Sequence, residues 1–339
     1  LAGALELSGP ITVASSAQIN SETSGQTAKL SGSVTSTNSS FTLAGAGNWD
    51  VSAPISLGTG TLSKNDAGTA TLSGSLSYKN TLVSGGSLIY TASALVSTSG
   101  SVTVNGSNTM LDVSNAGAIS SITSLSGTSS TASISLGANP LEITNSSGSY
   151  IGTLTSTSGL TLSGGTQILT GANTFGLGTL VKSGANLNVG NNTALGVSTR
   201  AVTVESGATL TVSNTTAFAN PITVSGTGVG GLGALKATST GALYNNVLSG
   251  PITLMGDTSI ATTTAGYLTL SGLITETTPS SITAKSGLAY ITNVNNTYSG
   301  GTIISNTAMI WAGPGSTTGL PGAVTKGQLG TGRITVQSG

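Results

Sequence analysis

A short phrase in which apolar and hydroxyl residues alternate recurs along the whole chain, and most copies continue into Ser or Gly. Period-two alternation places Ile222 and Val224 on one face of a strand and Thr223 on the other. Glycine tolerates the positive φ of a sharp turn, so each phrase predicts a strand of three to five residues that ends at a turn. The copies are "ITV" at 11, "FTLAG" at 41, "VTVNG" at 102, "LTLSGG" at 160, "VTVESG" at 202, "ITVSG" at 222, "ITLMG" at 252, "LTLSG" at 268 and "ITVQSG" at 334.

Proline opens several of these phrases. Proline has no amide hydrogen, so it is tolerated at the first residue of a strand, where a missing ladder donor costs least. Five of the eight prolines occupy such a position, which predicts a structural role for them: Pro10, Pro54, Pro140, Pro221 and Pro251.

A longer sequence module is also repeated along the chain. The strings "TLVSGGSLIY" at 81, "TLVKSGANLN" at 179 and "TIISNTAMIW" at 302 align without gaps, and each is followed by a closing strand: "GSVTVNG", "RAVTVESG" and "GRITVQSG". In the second and third copies a Leu-Gly pair precedes the closing strand, at Leu195-Gly196 and Leu329-Gly330. Repetition with variable insertions is typical of a solenoid.

Strands this short do not form stable hairpins alone in water, and no regular Asn-Gly turns link them. Stacked coils solve this problem, because each strand then pairs in parallel with the strand one coil earlier and inward Val, Ile and Leu residues meet their counterparts. We therefore predict an all-β fold, a right-handed parallel β-helix with roughly 20 to 25 residues per coil, continuous over residues 1–339.

Composition supports this interpretation and excludes several function classes. Charged residues make up 5% of the chain and aromatic residues 4%, while 37% is apolar, which is unlike a disordered chain. The nine basic and nine acidic residues cancel, so no net field attracts nucleic acid or anionic lipid. No apolar run is long enough for a membrane-spanning helix. The chain does not begin with Met and has no signal-peptide pattern, so we expect a segment of a longer precursor.

Several strings resemble a known repeat. They are "NTYSGGTIIS" at 296, "NTFGLGTLVKSGANLNVGNNTALG" at 173, "VTVESGATLTV" at 202 and "SGPITLMGDTSIATTTAGYLTLSGLI" at 249. They are similar to the autotransporter-associated β-strand repeat, also called the passenger-associated transport repeat. The resemblance implies a β-helical passenger region that a bacterium exports and displays or releases outside the cell. One copy departs from the pattern, because Tyr78 lies one residue closer to the following Thr than Phe175 or Tyr298 does.

Candidate chemistry is sparse. The chain has no His and no Cys, which rules out the usual triads, thiol nucleophiles and common zinc sites. The nine acids are scattered: Glu6, Glu22, Asp50, Asp66, Asp112, Glu142, Glu205, Asp257 and Glu276. The nearest approach to a constellation is Lys64 with Asp66, joined by Asp50 one coil away, and a solvated turn with a weak ion pair explains it. We predict no catalytic, cofactor-binding or metal-binding residue, and a polysaccharide-cleaving enzyme is a distant alternative.

Aromatic residues offer a second kind of candidate, because exposed rings form platforms for sugars. The candidates are Trp49, Tyr90, Tyr298 and Trp311, and Tyr90 and Trp311 fall at one aligned module position where the middle copy has Asn188. We favour side chains that fill or cap a coil. Threonine pairs such as those in "TLTST" at 153 and "TLTVS" at 209 also suggest an ice-binding array, but their spacing is irregular.

The expected function follows from these observations. We expect an extracellular structural or surface protein of a bacterium, non-catalytic, that associates with itself through its coil ends into filaments or a coat. The alternative is an adhesin passenger that contacts a surface glycan or matrix. We expect no nucleic-acid partner and no insertion of this segment into a membrane.

Overall fold

The computed structural model of the chain describes residues 5–91, 96–97, 100–116, 121–213, 217–238, 244–263, 266–313, 318–320 and 323–337. The fold is a β-solenoid of about 13 turns with 51% strand, built from stacked parallel sheets, which confirms the predicted fold class. The handedness of the winding and the continuity of one solenoid over the whole chain stay predictions. The chain divides into two compact units, Leu1–Gly159 and Leu160–Gly339, which are described separately below.

The strands of the first unit are β1 (Glu6–Leu7), β2 (Ile11–Thr12), β3 (Ala17–Asn20), β4 (Thr27–Leu30), β5 (Val34–Thr35), β6 (Phe41–Ala44), β7 (Asn48–Val51), β8 (Ile55–Ser56), β9 (Thr61–Lys64), β10 (Thr69–Leu72), β11 (Leu76–Ser77), β12 (Asn80–Val83), β13 (Ser87–Tyr90), β14 (Val96–Ser97), β15 (Ser101–Val104), β16 (Met110–Asp112), β17 (Ser124–Ser126), β18 (Ser133–Gly137), β19 (Leu141–Ile143), β20 (Ser149–Tyr150) and β21 (Thr153–Ser156). From β1 to β15 the chain winds through three parallel sheets, with one strand of each sheet per coil. The first sheet stacks β1, β4, β7, β10, β13, β16, β18 and β21, the second β2, β5, β8, β11 and β14, and the third β3, β6, β9, β12, β15 and β17.

The second unit repeats the same principle with longer strands. Its strands are β22 (Leu160–Leu162), β23 (Gly165–Leu169), β24 (Thr174–Phe175), β25 (Thr179–Val181), β26 (Ala185–Val189), β27 (Val202–Val204), β28 (Thr209–Ser213), β29 (Ile222–Gly226), β30 (Leu235–Thr238), β31 (Tyr244–Leu248), β32 (Ile252–Thr262), β33 (Gly266–Leu270), β34 (Ile274–Glu276), β35 (Ser281–Ile291), β36 (Gly301–Ile304), β37 (Ala308–Ala312), β38 (Thr318–Leu320), β39 (Ala323–Lys326) and β40 (Ile334–Val336). A turn of 3₁₀ helix at Val229–Gly231 precedes β30.

Apolar columns run through the core of each unit, as the alternating phrases predict. In the first unit Leu30, Val51, Leu72 and Tyr90 are register partners on successive coils and are essentially inaccessible to solvent. In the second unit one column contains Val202, Ile222, Ile252 and Ile274. Full burial of such a side chain stabilises the fold by about 1.5 to 3 kcal/mol, so the columns are the main source of stability.

The five prolines singled out above each lie immediately before a strand, as predicted. The carbonyls of Pro54, Pro221 and Pro251 still take part in the ladders. Pro54 O accepts a hydrogen bond from Val34 N at 2.9 Å, and Pro221 O accepts one from Val202 N at 2.8 Å. Proline therefore serves as an acceptor at the rung where the lost donor is least needed.

The closing strand of each module proves to be the next coil. Thr81 is the register partner of Val102, Thr179 of Val202 and Thr302 of Ile334. The module is thus one coil plus the first strand of the following coil. Coil length varies: hydrogen-bonded partners lie 21 residues apart at Asn48 and Thr69, but 32 apart at Asn296 and Gln328.

Two features differ from the sequence-based expectation. The strands β32 and β35 have 11 residues each, because two successive strands run together through a bend that is marked by register shifts. The coil between Thr302 and Ile334 also contains β38 and β39, which pair with each other in antiparallel orientation. Alternation within a phrase does not reveal either feature, since both depend on how the chain pairs with other strands.

Candidate functional site

Most of the acidic side chains act as hydrogen-bond acceptors in turns and between coils. Asp66 Oδ2 accepts from Gly45 N at 3.0 Å, and Asp257 Oδ1 accepts from both the amide and the hydroxyl of Ser281 at 2.8 Å. These are charge-assisted bonds that tie one coil to the next. Within the described residues, no group of three or more acidic side chains is placed to hold a metal ion.

Glu276 is the most fully engaged of the acids. Its carboxylate accepts from Ser280 N at 2.7 Å, Ser299 N at 2.9 Å and Ser299 Oγ at 2.6 Å. Desolvation acts to raise the pKa of Glu276, but the hydrogen bonds from Ser299, Ser280 and Gly300 outweigh it and the pKa falls below its usual range. A carboxylate held in its ionised form is a poor general acid at neutral pH.

The structure corrects the interpretation of Lys64, Asp66 and Asp50. Lys64 is not in a solvated turn: it is fully buried, at the core position between Leu43 and Val83. Its ammonium donates to the carbonyls of Asn65 at 2.6 Å and Asp66 at 2.9 Å. Burial lowers the pKa of Lys64 to about 8, although the charge of Asp66 acts in the opposite direction.

Asp50 is not part of this group. It is exposed on β7, beside Lys29 and Thr71 in the first sheet, whereas Lys64 belongs to the third sheet. Sequence distance suggested a neighbour one coil away, but the two residues lie on different sheets of the coil. The three residues therefore do not form one site.

Three of the four aromatic candidates fill the core, as favoured above. Trp49 and Tyr90 are 1% exposed and Tyr298 is inaccessible. The indole Nε1 of Trp49 donates to Ala44 O at 3.0 Å, which satisfies its only polar atom. Trp311 is different, because 45% of its surface is exposed. Trp311 therefore does not fill the interior of its coil.

Tyr90 and Trp311 align in sequence but lie on opposite faces of their strands. In β13 the inward residues are Leu88 and Tyr90, whereas the equivalent inward residue in β26 is Leu187 and the aligned Asn188 points outward. The turn before β13 shifts its alternation by one residue, and a one-residue shift moves every side chain to the other face. The gapless alignment does not reveal that shift.

The interior of each module contains an aromatic side chain beside its first threonine. Tyr298 Oη and Thr302 Oγ1 are 2.7 Å apart, and Thr302 Oγ1 also donates to Leu329 O at 3.0 Å. In the first module Tyr78 bonds both Tyr90 and Thr81, and burial raises the pKa of Tyr78 to about 12. These hydroxyls are structural, since each is paired inside the coil.

The middle module has Phe175 where the third has Tyr298. Phe175 has no hydroxyl, and the buried Oγ1 of Thr179 has no hydrogen-bond partner. An unpaired buried hydroxyl costs about 1 to 3 kcal/mol relative to a paired one. Phe at position 175, in place of the Tyr of the third module, therefore leaves the hydroxyl of Thr179 unpaired in this coil.

A conserved geometry surrounds the buried asparagine that precedes each of these rings in the second unit. Asn173 Nδ2 donates to Ala194 O at 2.9 Å, and Asn296 Nδ2 donates to Gln328 O at 2.8 Å. The carbonyl acceptors lie two residues before Gly196 and Gly330, respectively. In each of the two modules, the Asn side chain is thus hydrogen-bonded to the backbone just before the Leu-Gly pair of the neighbouring coil. We call this contact the seam of the module, and we interpret it as structural.

The sequence singled out Trp311 as a candidate but did not reveal the exposed cluster to which it belongs. Tyr267, Leu288, Tyr290, Met309 and Trp311 point outward on three consecutive coils, and we call them the aromatic patch. Ring centroids are 4.9 Å apart for Tyr267 and Tyr290 and 5.1 Å for Tyr290 and Trp311. Their separation in sequence conceals the cluster, and only the register between coils brings them together.

Of the two threonine pairs considered for an ice-binding array, the pair in "TLTVS" at 209 is buried, whereas Thr155 in "TLTST" at 153 is exposed. Thr209 and Thr211 are 3% and 2% exposed. Thr209 Oγ1 donates to Gly233 O at 2.9 Å and Thr211 Oγ1 to Asn186 Oδ1 at 2.8 Å. These hydroxyls join neighbouring strands.

Comparison of the chain with protein-family models, with curated proteins and with solved structures found no match. The resemblance to autotransporter repeats therefore stays a prediction. In the part of the chain that the structure describes, no helix has the length and apolar character required to cross a membrane.

Proposed function

We propose that the chain is a non-catalytic structural element of a bacterial extracellular surface. The observation that supports this most is how the coils use their charged and hydroxyl side chains. The polar atoms of Lys64, Asp257 and Glu276 form hydrogen bonds with backbone groups of the turns and neighbouring coils. The repeat phrases that resemble autotransporter passengers support an extracellular location.

Association through coil ends is part of this proposal. Ile334 and Val336 occupy inward positions above Thr302 and Ile304, yet they are 51% and 72% exposed. They lie on β40, the last described rung of that stack, so a further coil would bury them. That coil can come from the same precursor or from a second copy, and in the proposed assembly a second copy provides it.

The test is the concentration dependence of mass in light scattering, with electron microscopy of the same samples. Wild-type chain should form end-to-end oligomers or fibres, and a variant with Ile334→Lys and Val336→Lys should remain monomeric. Leu232→Lys is the matched control, because Leu232 is 61% exposed on the side of a coil. A monomeric wild type at all concentrations contradicts the assembly proposal.

The enzyme alternative has its own test. Purified chain is incubated with plant and bacterial polysaccharides, and new reducing ends are measured over time. We expect none above background. Cleavage by the wild type that disappears in Asp66→Ala would contradict the non-catalytic proposal.

A further inference from the structure

The aromatic patch brings together five large apolar or aromatic side chains that point outward on adjacent coils of the second unit. Met309 is 64% exposed and Trp311 45% exposed, and Tyr267, Leu288 and Tyr290 are half-buried. The two ring pairs are tilted by 59° and 55°. Each ring thus rests its edge on a neighbour, and Trp311, at the end of the row, keeps an open surface.

The fold does not require these side chains. The aligned outward positions in the middle module are Asn186 and Asn188 on β26, in place of Met309 and Trp311 on β37. Asn186 and Asn188 accept hydrogen bonds from the hydroxyls of Thr211 and Ser213 on the next coil. A polar ladder therefore meets the structural need, and the apolar residues call for another explanation.

An open depression of about 850 Å³ borders the patch. Its lining includes Tyr267, Leu288 and Met309 of the patch, and four polar residues: Thr263, Ser286, Asn306 and Thr307. No lining residue carries a formal charge. Ser286 Oγ and Thr307 Oγ1 donate to carbonyls of Thr262 and Lys285, so their lone pairs can accept from a ligand.

We propose that the aromatic patch and this depression bind a short segment of an uncharged pyranose polysaccharide. A pyranose ring has an apolar face of C–H groups, which stacks on aromatic rings, and an edge of hydroxyls, which suits neutral donors and acceptors. The patch repeats once per coil, about 4.8 Å, which is close to the length of one sugar unit in an extended glycan. Three coils thus present a row for two or three sugars.

Other occupants fit less well. A peptide that adds a strand is recognised through backbone hydrogen bonds at a sheet edge, whereas the patch consists of side chains on the face of the sheet formed by β33, β35 and β37. A stable protein interface buries about 800 Å² on each partner, more than five side chains supply. An acidic ligand would find no cation among the lining residues.

The chain offers a built-in reporter for the test. It has two tryptophans, and Trp49 is buried while Trp311 is exposed. Acrylamide should therefore quench Trp311 selectively. Oligosaccharides of glucose, mannose and galactose, two to six units long, are titrated into the full chain, and at least one neutral series should protect Trp311 from acrylamide in a saturable manner.

Calorimetric titration of variants assigns the site. Trp311→Ala should weaken the binding of that oligosaccharide by about tenfold or more, whereas Trp311→Phe should keep part of it. Met255→Ala is the matched control, since Met255 is 52% exposed on β32 outside the depression, and it should bind as the wild type does. Circular dichroism confirms that each variant is folded.

Three results would overturn the proposal: no neutral oligosaccharide protects Trp311, binding persists unchanged in Trp311→Ala, or oligogalacturonate binds as well as the neutral series. The inference does not depend on end-to-end assembly. A chain that stays monomeric can still bind the glycan, and a chain that assembles can fail to bind it, so the two proposals fail separately.

Discussion

At the scale of single residues, polar atoms inside the coils determine which positions tolerate change. Thr302 has two hydrogen-bond partners, Tyr298 and Leu329, whereas the buried hydroxyl of Thr179 has none. The two modules share the spacing of four residues between ring and threonine. The missing phenol in the middle module therefore explains the difference.

Exchanging the two rings tests this explanation. Phe175→Tyr should stabilise the second unit by about 1 kcal/mol, because it gives Thr179 a partner, and Tyr298→Phe should destabilise it by about the same amount. Thermal unfolding midpoints of the two variants measure both effects. If Phe175→Tyr lowers the midpoint, the coil has no room for the hydroxyl and the explanation is wrong.

Lys64 gives the first unit a characteristic dependence of stability on pH. Its pKa in the folded chain is about 8, below the ordinary value of 10.5. Between these values the unfolded chain binds a proton that the folded chain does not, so the free energy of unfolding should rise with pH from about 8 to 10.5. Below pH 8 both states are protonated and the full burial cost is present.

Thermal midpoints at pH 7 and pH 9.5 check the sign. Wild type should gain stability relative to Lys64→Met over this range, while Lys29→Met, which removes an exposed lysine of the same unit, should follow the wild type. Higher pH is avoided, because burial raises the pKa of Tyr78 and Tyr90, and their ionisation in the unfolded chain would destabilise the fold. A wild type that loses stability relative to Lys64→Met would contradict the assignment.

At the scale of elements, the seam of each module depends on close approach between a glycine and the preceding coil. Gly196 has φ +78°, and a Cβ there would lie 2.6 Å from Phe175 N. Gly330 has φ +74°, and a Cβ would lie 2.3 Å from Tyr298 O. The Leu-Gly pair recurs because only glycine satisfies both the backbone angle and the distance.

Gly184 needs a positive φ but has no close neighbour, so it isolates the effect of the backbone angle. Its φ is +83°, but a Cβ would meet no atom within 4 Å. Gly184→Ala should cost about 1 kcal/mol from backbone strain alone, whereas Gly196→Ala should cost clearly more, because the clash with the Phe175 backbone is added. Equal shifts of the thermal midpoint in the two variants would refute a role for close approach.

The elements also explain how far the sequence predicts the structure. Alternation is local, so phrases such as "ITVSG" at 222 are found in strands where the sequence predicts them, and the columns of Val and Ile follow. The position of Lys64 in the core, the shifted face of Tyr90 and the grouping of Tyr267 with Trp311 depend on turn geometry and on the register between coils. Neither the turn geometry nor the register can be predicted from the sequence of one coil alone.

At the scale of the whole molecule, the proposed functions rest on exposed side chains that the stacking of coils does not use. Stacking uses the apolar columns and charged side chains such as Asp257 and Glu276, whose oxygens bond the neighbouring coil. The exposed apolar side chains of the second unit include the aromatic patch and the rung formed by β40. The proposed assembly and the proposed glycan site correspond to these two features.

The register of the stacked coils underlies every inference above, and paired cysteines test it directly because the chain has none of its own. Thr203 and Thr223 are register partners on β27 and β29 and both point outward, at a spacing that suits a disulfide. Under mild oxidation, Thr203→Cys with Thr223→Cys should form an intramolecular disulfide almost completely. Thr203→Cys with Ser225→Cys, two residues out of register on the same face, should form little. Equal or reversed yields would contradict the stacked-coil register and the sites built on it.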